Sequence, residues 1–209
     1  MYYNIGVGKW TWYITHVLYK PRPILVVSDS SETQKERWSN VVGADVYDAS
    51  VSSLQLIRDR RIALVRMYEE MNVPFPATKY ITVVFEMDTS NPALLHSSIM
   101  HDICTNSGRL QMLIVFASGG KNPTMLPVQI RANCDVVILR SDAKLETDTS
   151  VRTHDFCRHI LSQRRFNNIF LFATFNDRVF VIDNRTCSDD LRDVFFYGMS
   201  DLVTTLKRG

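Results

Sequence analysis

Cysteine is scarce, four in 209 residues (Cys104, Cys134, Cys157 and Cys187), and no two of them form a CxxC pair. No apolar leader opens the chain, so the thiols are expected to be reduced, in a cytosolic or nuclear compartment. Long apolar runs are missing too. None approaches the roughly 20 residues that a membrane-spanning helix needs. Charge of one sign is also missing: 24 Lys+Arg against 22 Asp+Glu leave a formal +2. Bulk electrostatics therefore announces no nucleic-acid partner, although a local basic patch stays open. Repeats, linkers and low-complexity stretches are absent as well. What remains is 45% hydrophobic and 22% charged residues, an ordinary globular composition. The length fits one domain over residues 1–209, with a core that needs no disulfide or metal staple.

Short apolar runs alternate with helical segments. Pro23–Ser28, Ile81–Phe85, Met112–Phe116 and Asp135–Leu139 read as buried strands, β-branched and too short for helices. Ser31 is an N-cap for a helix running toward Val42. Ser52–Met71 is the clearest helix, with Leu54, Ile57, Leu64, Tyr68 and Met71 along one side. Arg58, Asp59, Arg66 and Glu70 lie on its wet side, and Pro74 and Pro76 break it. Asn91-Pro92 reads as an N-cap and N1 proline, opening a helix that ends near Ser107-Gly108. Val151–Gln163 is helical, Ile169–Phe175 and Val179–Asp183 form a hairpin, and Ser188–Leu206 is a closing helix. Helices between continuous apolar strands predict an α/β domain with a mostly parallel central sheet covered on both faces, and a strand pair near the C-terminus.

Three segments carry candidate chemistry. Asn4-Ile5-Gly6-Val7-Gly8-Lys9-Trp10-Thr11 has the glycines that let backbone N–H groups turn toward phosphate, and a lysine for the β/γ-phosphates. Measured against G-x-x-x-x-G-K-[ST], the first glycine falls on Tyr3 and the Mg²⁺ hydroxyl on Trp10, with Thr11 one residue late. The strand that should launch this loop is a stub, and a glycine-rich N-terminus without ligand is an equal reading. The second segment is Ile81–Phe85 running into Glu86-Met87-Asp88. Glu86 suits the Mg²⁺-side acid of a P-loop ATPase. Met87 cannot act as the second acid, because a thioether takes no proton at neutral pH. Asp88, one position further on, is the remaining candidate catalytic acid. The third runs from Asn106-Ser107-Gly108-Arg109 through Met112–Phe116 to Leu126-Pro127-Val128-Gln129-Ile130-Arg131-Ala132-Asn133-Cys134-Asp135.

This order resembles the DNA-packaging ATPases of large nucleo-cytoplasmic DNA viruses, in the FtsK–HerA branch of P-loop motors. It comprises a phosphate loop, an acidic strand end, an N-x-G-R turn, a strand, L-P-x-x-I-R-x-N and a further strand. Arg178–Asp183 resembles the closing strand of that family. The resemblance implies a P-loop NTPase-like three-layer fold that binds ATP and Mg²⁺ and drives genomic DNA into a capsid. Its partners would be double-stranded DNA, the packaging machinery and further copies of the chain in a ring, in host cytoplasm or virion. Gly6, Gly8, Lys9, Trp10 and Thr11 would form the nucleotide loop, and Thr11 and Glu86 would hold the metal side. Arg131 would reach a γ-phosphate across a subunit boundary. Departures cluster on the same reaction: Trp10, Met87, Leu110 in place of a histidine, and Ala117-Ser118-Gly119-Gly120-Lys121 in place of a glutamine-ended strand. They imply a weakened ATPase or, alternatively, a catalytically inactive P-loop-fold binding or assembly protein.

Weaker candidates remain. His154, Cys157 and His159 fit a structural helix better than zinc. The arginines 158, 164, 165, 178 and 185 fit a solvated face better than a DNA patch.

Overall fold

A computed structural model describes residues 2–3, 23–29, 32–42, 44–86, 91–117, 126–127, 130, 133–139, 162, 164, 168–169, 179–183 and 194–197. The chain divides into two compact units, Tyr19–Ala117 and the pair Met1–Leu18 with Ser118–Gly209.

In the Tyr19–Ala117 unit, four strands pair in parallel. They are β2 (Ile24–Ser28), β3 (Asp45–Asp48), β4 (Ile81–Glu86) and β5 (Met112–Ala117), in the order β3-β2-β4-β5. All six residues of β4 are buried. Successive strand side chains point to opposite faces, so a run buried without interruption means cover on both sides of the sheet. Phe85 and Phe116 face each other in the β4–β5 register and stack at 5.0 Å.

The connecting helices are α1 (Glu32–Val42), α2 (Val51–Glu70), α3 (Pro92–Leu95) and α4 (Ser98–Thr105). α2 starts where the Ser50 side chain accepts from the Ser53 N–H, and buries Leu54, Ile57 and Arg61. Met71, expected on the apolar side, is the C-cap just past the end of α2 and is 53% exposed. The expected helix from Asn91 is two helices. Asn91 caps α3 by accepting from the Leu94 N–H, and Ser97 opens α4 by accepting from the Met100 N–H. A second capping hydroxyl so close to the first offers the backbone a fresh start, and the chain bends at His96.

The Arg61 guanidinium is the main polar tie beneath this sheet. It donates to the carbonyls of Leu110 at 3.0 Å, Lys79 at 3.0 Å and Gln111 at 3.2 Å. It also lies 5.3 Å from the centre of the Phe75 ring, which packs edge-on against Tyr68 and Tyr80. Burial pushes its pKa below the ordinary arginine value.

In the other unit, β1 (Tyr2–Tyr3) pairs in parallel with β6 (Val136–Leu139), with Tyr2 opposite Val137. β7 (Val179–Asp183) runs antiparallel to β6 on one side and to β8 (Val194–Tyr197) on the other. Two expectations are corrected here. Val194–Tyr197 is a strand within the segment expected to be the closing helix. Asn168 and Ile169 are helical, so the expected hairpin does not begin at Ile169. The rest of that first strand, and the expected helix at 151–163 apart from Ser162, lie outside the described residues.

Candidate functional site

Parallel α/β sheets bind ligands beyond the carboxyl ends of their strands, where the strand order reverses. In the Tyr19–Ala117 unit, β2 hands on to β3 on one side and β4 hands on to β5 on the other. The reversal therefore falls between β2 and β4. Their last residues, Ser28 and Glu86, are register partners at the carboxyl end. Sequence pattern placed Glu86 at a strand end; topology places it at this reversal.

Glu86 is 8% exposed and Ser28 is fully buried. The Ser28 hydroxyl donates to Glu86 Oε2 at 3.2 Å. The indole Nε1–H of Trp38, on α1, donates to the same oxygen at 2.5 Å. A carboxylate taken out of water needs such donors, since burying it unsatisfied costs several kcal/mol or more. Around the pair, the Ala49 N–H donates to the Ser28 carbonyl at 3.1 Å, and Asn91 Nδ2 donates to the Ala49 carbonyl at 3.3 Å. The loops after β2, β3 and β4 are thereby tied together at one edge.

Neither Ser28 nor Trp38 was a site candidate on sequence. Trp38 offered one signal: it is the lone aromatic in the polar stretch Glu32-Thr33-Gln34-Lys35-Glu36-Arg37-Trp38-Ser39-Asn40. At 3% exposure it is the buried anchor of that helix.

Of the other predicted site residues, Gly6, Gly8, Lys9, Trp10, Thr11, Asp88 and Arg131 lie outside the described residues, as do Met87 and Ser118. The flanks of two are described. Tyr2–Tyr3 is β1, directly ahead of Asn4 in the sequence. Around Arg131, Leu126, Ile130 and Cys134 are buried at helical spacing. The Ile130 N–H bonds the Pro127 carbonyl at 2.9 Å, and the Asn133 N–H bonds the Ile130 carbonyl at 3.2 Å. Leu110, which the resemblance set in place of a histidine, is 6% exposed and supplies one of the Arg61 carbonyls. Its position is one of packing in this chain.

Among the described residues, no group of three His, Cys, Asp or Glu side chains is placed to hold a metal ion. An open groove of about 410 Å³ is lined by Glu32, Lys35, Glu36 and Asp48, among others. Lys35 bridges Asp48 at 2.5 Å and Glu32 at 2.9 Å, and those bonds, Asp48's first, raise its pKa above the ordinary lysine value. Among the described residues no helix is long and apolar enough to cross a membrane.

No family model and no curated protein sequence matches the chain. Solved structures do. The genome packaging NTPase B204 from Sulfolobus turreted icosahedral virus 2, in complex with ATP-gammaS, is 8% identical, covers 94% of this chain and 93% of its own, and superposes with a TM-score of 0.55. The same NTPase with AMPPCP gives 0.53 at 8% identity, covering 94% of each chain. With sulfate it gives 0.54 at 8% identity, covering 94% of this chain and 93% of its own. At that identity the likeness speaks for the fold. This chain therefore has an α/β, P-loop NTPase-like fold similar to that of a viral genome packaging NTPase, as the order of its motifs implied.

Proposed function

We propose that this chain is a viral DNA-packaging ATPase-like protein, which binds ATP with Mg²⁺ at Gly6–Thr11 and uses its hydrolysis to move duplex DNA into a capsid. The observation that carries the reading is Glu86, buried at the carboxyl end of β4 where the strand order reverses. The likeness to an NTPase solved with ATP-gammaS and AMPPCP supports it. Phosphoryl transfer asks little covalent chemistry of a protein; positioning and charge neutralisation do the work. Lys9 would neutralise the β/γ-phosphates. Glu86 and Ser28 present hard oxygen atoms, the donor type that Mg²⁺ accepts. Glu86 and Thr11 would hold that ion, which supplies charge neutralisation at the β- and γ-oxygens. Asp88 is the residue left to orient water, and Arg131 would reach the nucleotide of a neighbouring subunit in a ring.

Calorimetry at millimolar ATP tests the binding step. Lys9→Ala should abolish Mg²⁺-dependent binding, because Lys9 is the only cation in the Asn4–Thr11 loop. Equal heats from parent and variant would sink the reading. A second reading rests on Trp10 and Met87, which stand where a metal hydroxyl and a second acid belong. On that reading the fold serves binding or assembly without turnover. Phosphate release above the Lys9→Ala blank favours the motor; binding with no release favours the second.

A further inference from the structure

We infer that Trp38 is a positioning residue for Glu86, holding its carboxylate toward the metal side of the bound nucleotide; the inference rests on the nucleotide-binding reading above. A glutamate at a strand end has three side-chain torsions and, left alone, samples several rotamers. Here two donors converge on one oxygen: Trp38 Nε1–H at 2.5 Å and the Ser28 hydroxyl at 3.2 Å. Oε2 is thus held to α1 on one side and to β2 on the other. Mg²⁺ tolerates little departure from octahedral geometry, so the orientation of an acid on its side matters.

The chemistry of the donor suits this task. An indole N–H donates and cannot accept, so it neither competes for a cation nor exchanges roles with the carboxylate. A hydroxyl such as that of Ser28 can do both. The choice of acceptor separates positioning from packing. A buried tryptophan serving the core alone needs some partner for its N–H. This one has the carboxylate at the strand-order reversal.

Trp38→Phe keeps an aromatic ring in the core, removes the N–H donor and trims the buried ring system. ATP affinity is read by calorimetry with Mg²⁺ and with EDTA, for parent and variant. Residues that orient metal ligands typically contribute tenfold or more to metal affinity. The gain in affinity that Mg²⁺ confers should therefore fall about tenfold in Trp38→Phe, while affinity in EDTA stays at the parent value. A Mg²⁺ gain equal to the parent's overturns the role.

The second readout is the indole N–H resonance of Trp38 in ¹⁵N-labelled protein. It should shift in Glu86→Gln, where a neutral amide replaces the carboxylate. In the parent it should shift on adding ATP with Mg²⁺ and stay still on adding ATP with EDTA. Should Trp38→Phe not fold, this resonance decides alone, and no movement with Mg²⁺-ATP overturns the role. A parent that binds no ATP brings down the proposed function and this inference together. A parent that binds Mg²⁺-ATP beside a variant with an undiminished Mg²⁺ gain brings down Trp38 only.

Discussion

Arg61 carries a full charge into the interior with three carbonyl oxygens around it. Carbonyl dipoles and the face of Phe75 offset part of its desolvation, and the planar fork of donors reaches all three at once. Lysine would keep the charge and lose the fork. We expect Arg61→Lys and Arg61→Met each to destabilise the protein by about 2–4 kcal/mol in urea unfolding, since each leaves buried carbonyls unsatisfied. Lysine matching the parent would mean that charge alone holds the site. The sequence hid this residue because arginine on a helix reads as a wet face. Glu86 was legible, as an acid closing an apolar run. Trp38 and Ser28 were not, since the contact joins residues 48 and 58 positions apart in the chain.

Helix α2 stops before either proline that was expected to break it. Asn72 adopts a left-handed φ of 53°. Its N–H bonds the Glu69 carbonyl at 3.0 Å, and the Val73 N–H bonds the Tyr68 carbonyl at 3.1 Å. These two bonds satisfy carbonyls that the helix end would otherwise orphan. Asparagine tolerates this conformation; a β-branched residue does not. Asn72→Val should lower unfolding free energy by about 1–2 kcal/mol, and Asn72→Gly should hold or raise it. A valine variant as stable as the parent would count against the turn as the terminator.

Legibility at the element level followed length and burial. The apolar cores of β2, β4 and β5 announced themselves as β-branched runs. β3 did not, because Asp45-Val46-Tyr47-Asp48 is a four-residue strand whose ends are exposed. Val194-Phe195-Phe196-Tyr197 was read as helix, since four apolar residues do not distinguish the two periods.

For the whole molecule, the role proposed for Arg131 carries an expectation about assembly. If Arg131 acts on a neighbour's nucleotide, turnover per subunit must depend on subunits meeting. Phosphate release per subunit should rise with protein concentration, and Arg131→Ala should remove the rise while leaving ATP binding intact. Turnover that is independent of concentration would place Arg131 outside the reaction. The fold class was readable from the alternation of buried apolar strands with helices, and it holds against a solved structure that is only 8% identical.

The pairing of β1 with β6 sets a waiting time during synthesis. Tyr2 lies opposite Val137, so the two partners are 137 − 2 = 135 residues apart. A ribosome adding about 5–20 residues per second needs about 7–27 seconds to bridge that gap. Throughout that interval the two tyrosines ahead of Gly6, Gly8 and Lys9 have no β6 to pair with. In a newly made chain the strands of the Tyr19–Ala117 sheet all precede β6, so every one of them is synthesised before the β1–β6 pair can close.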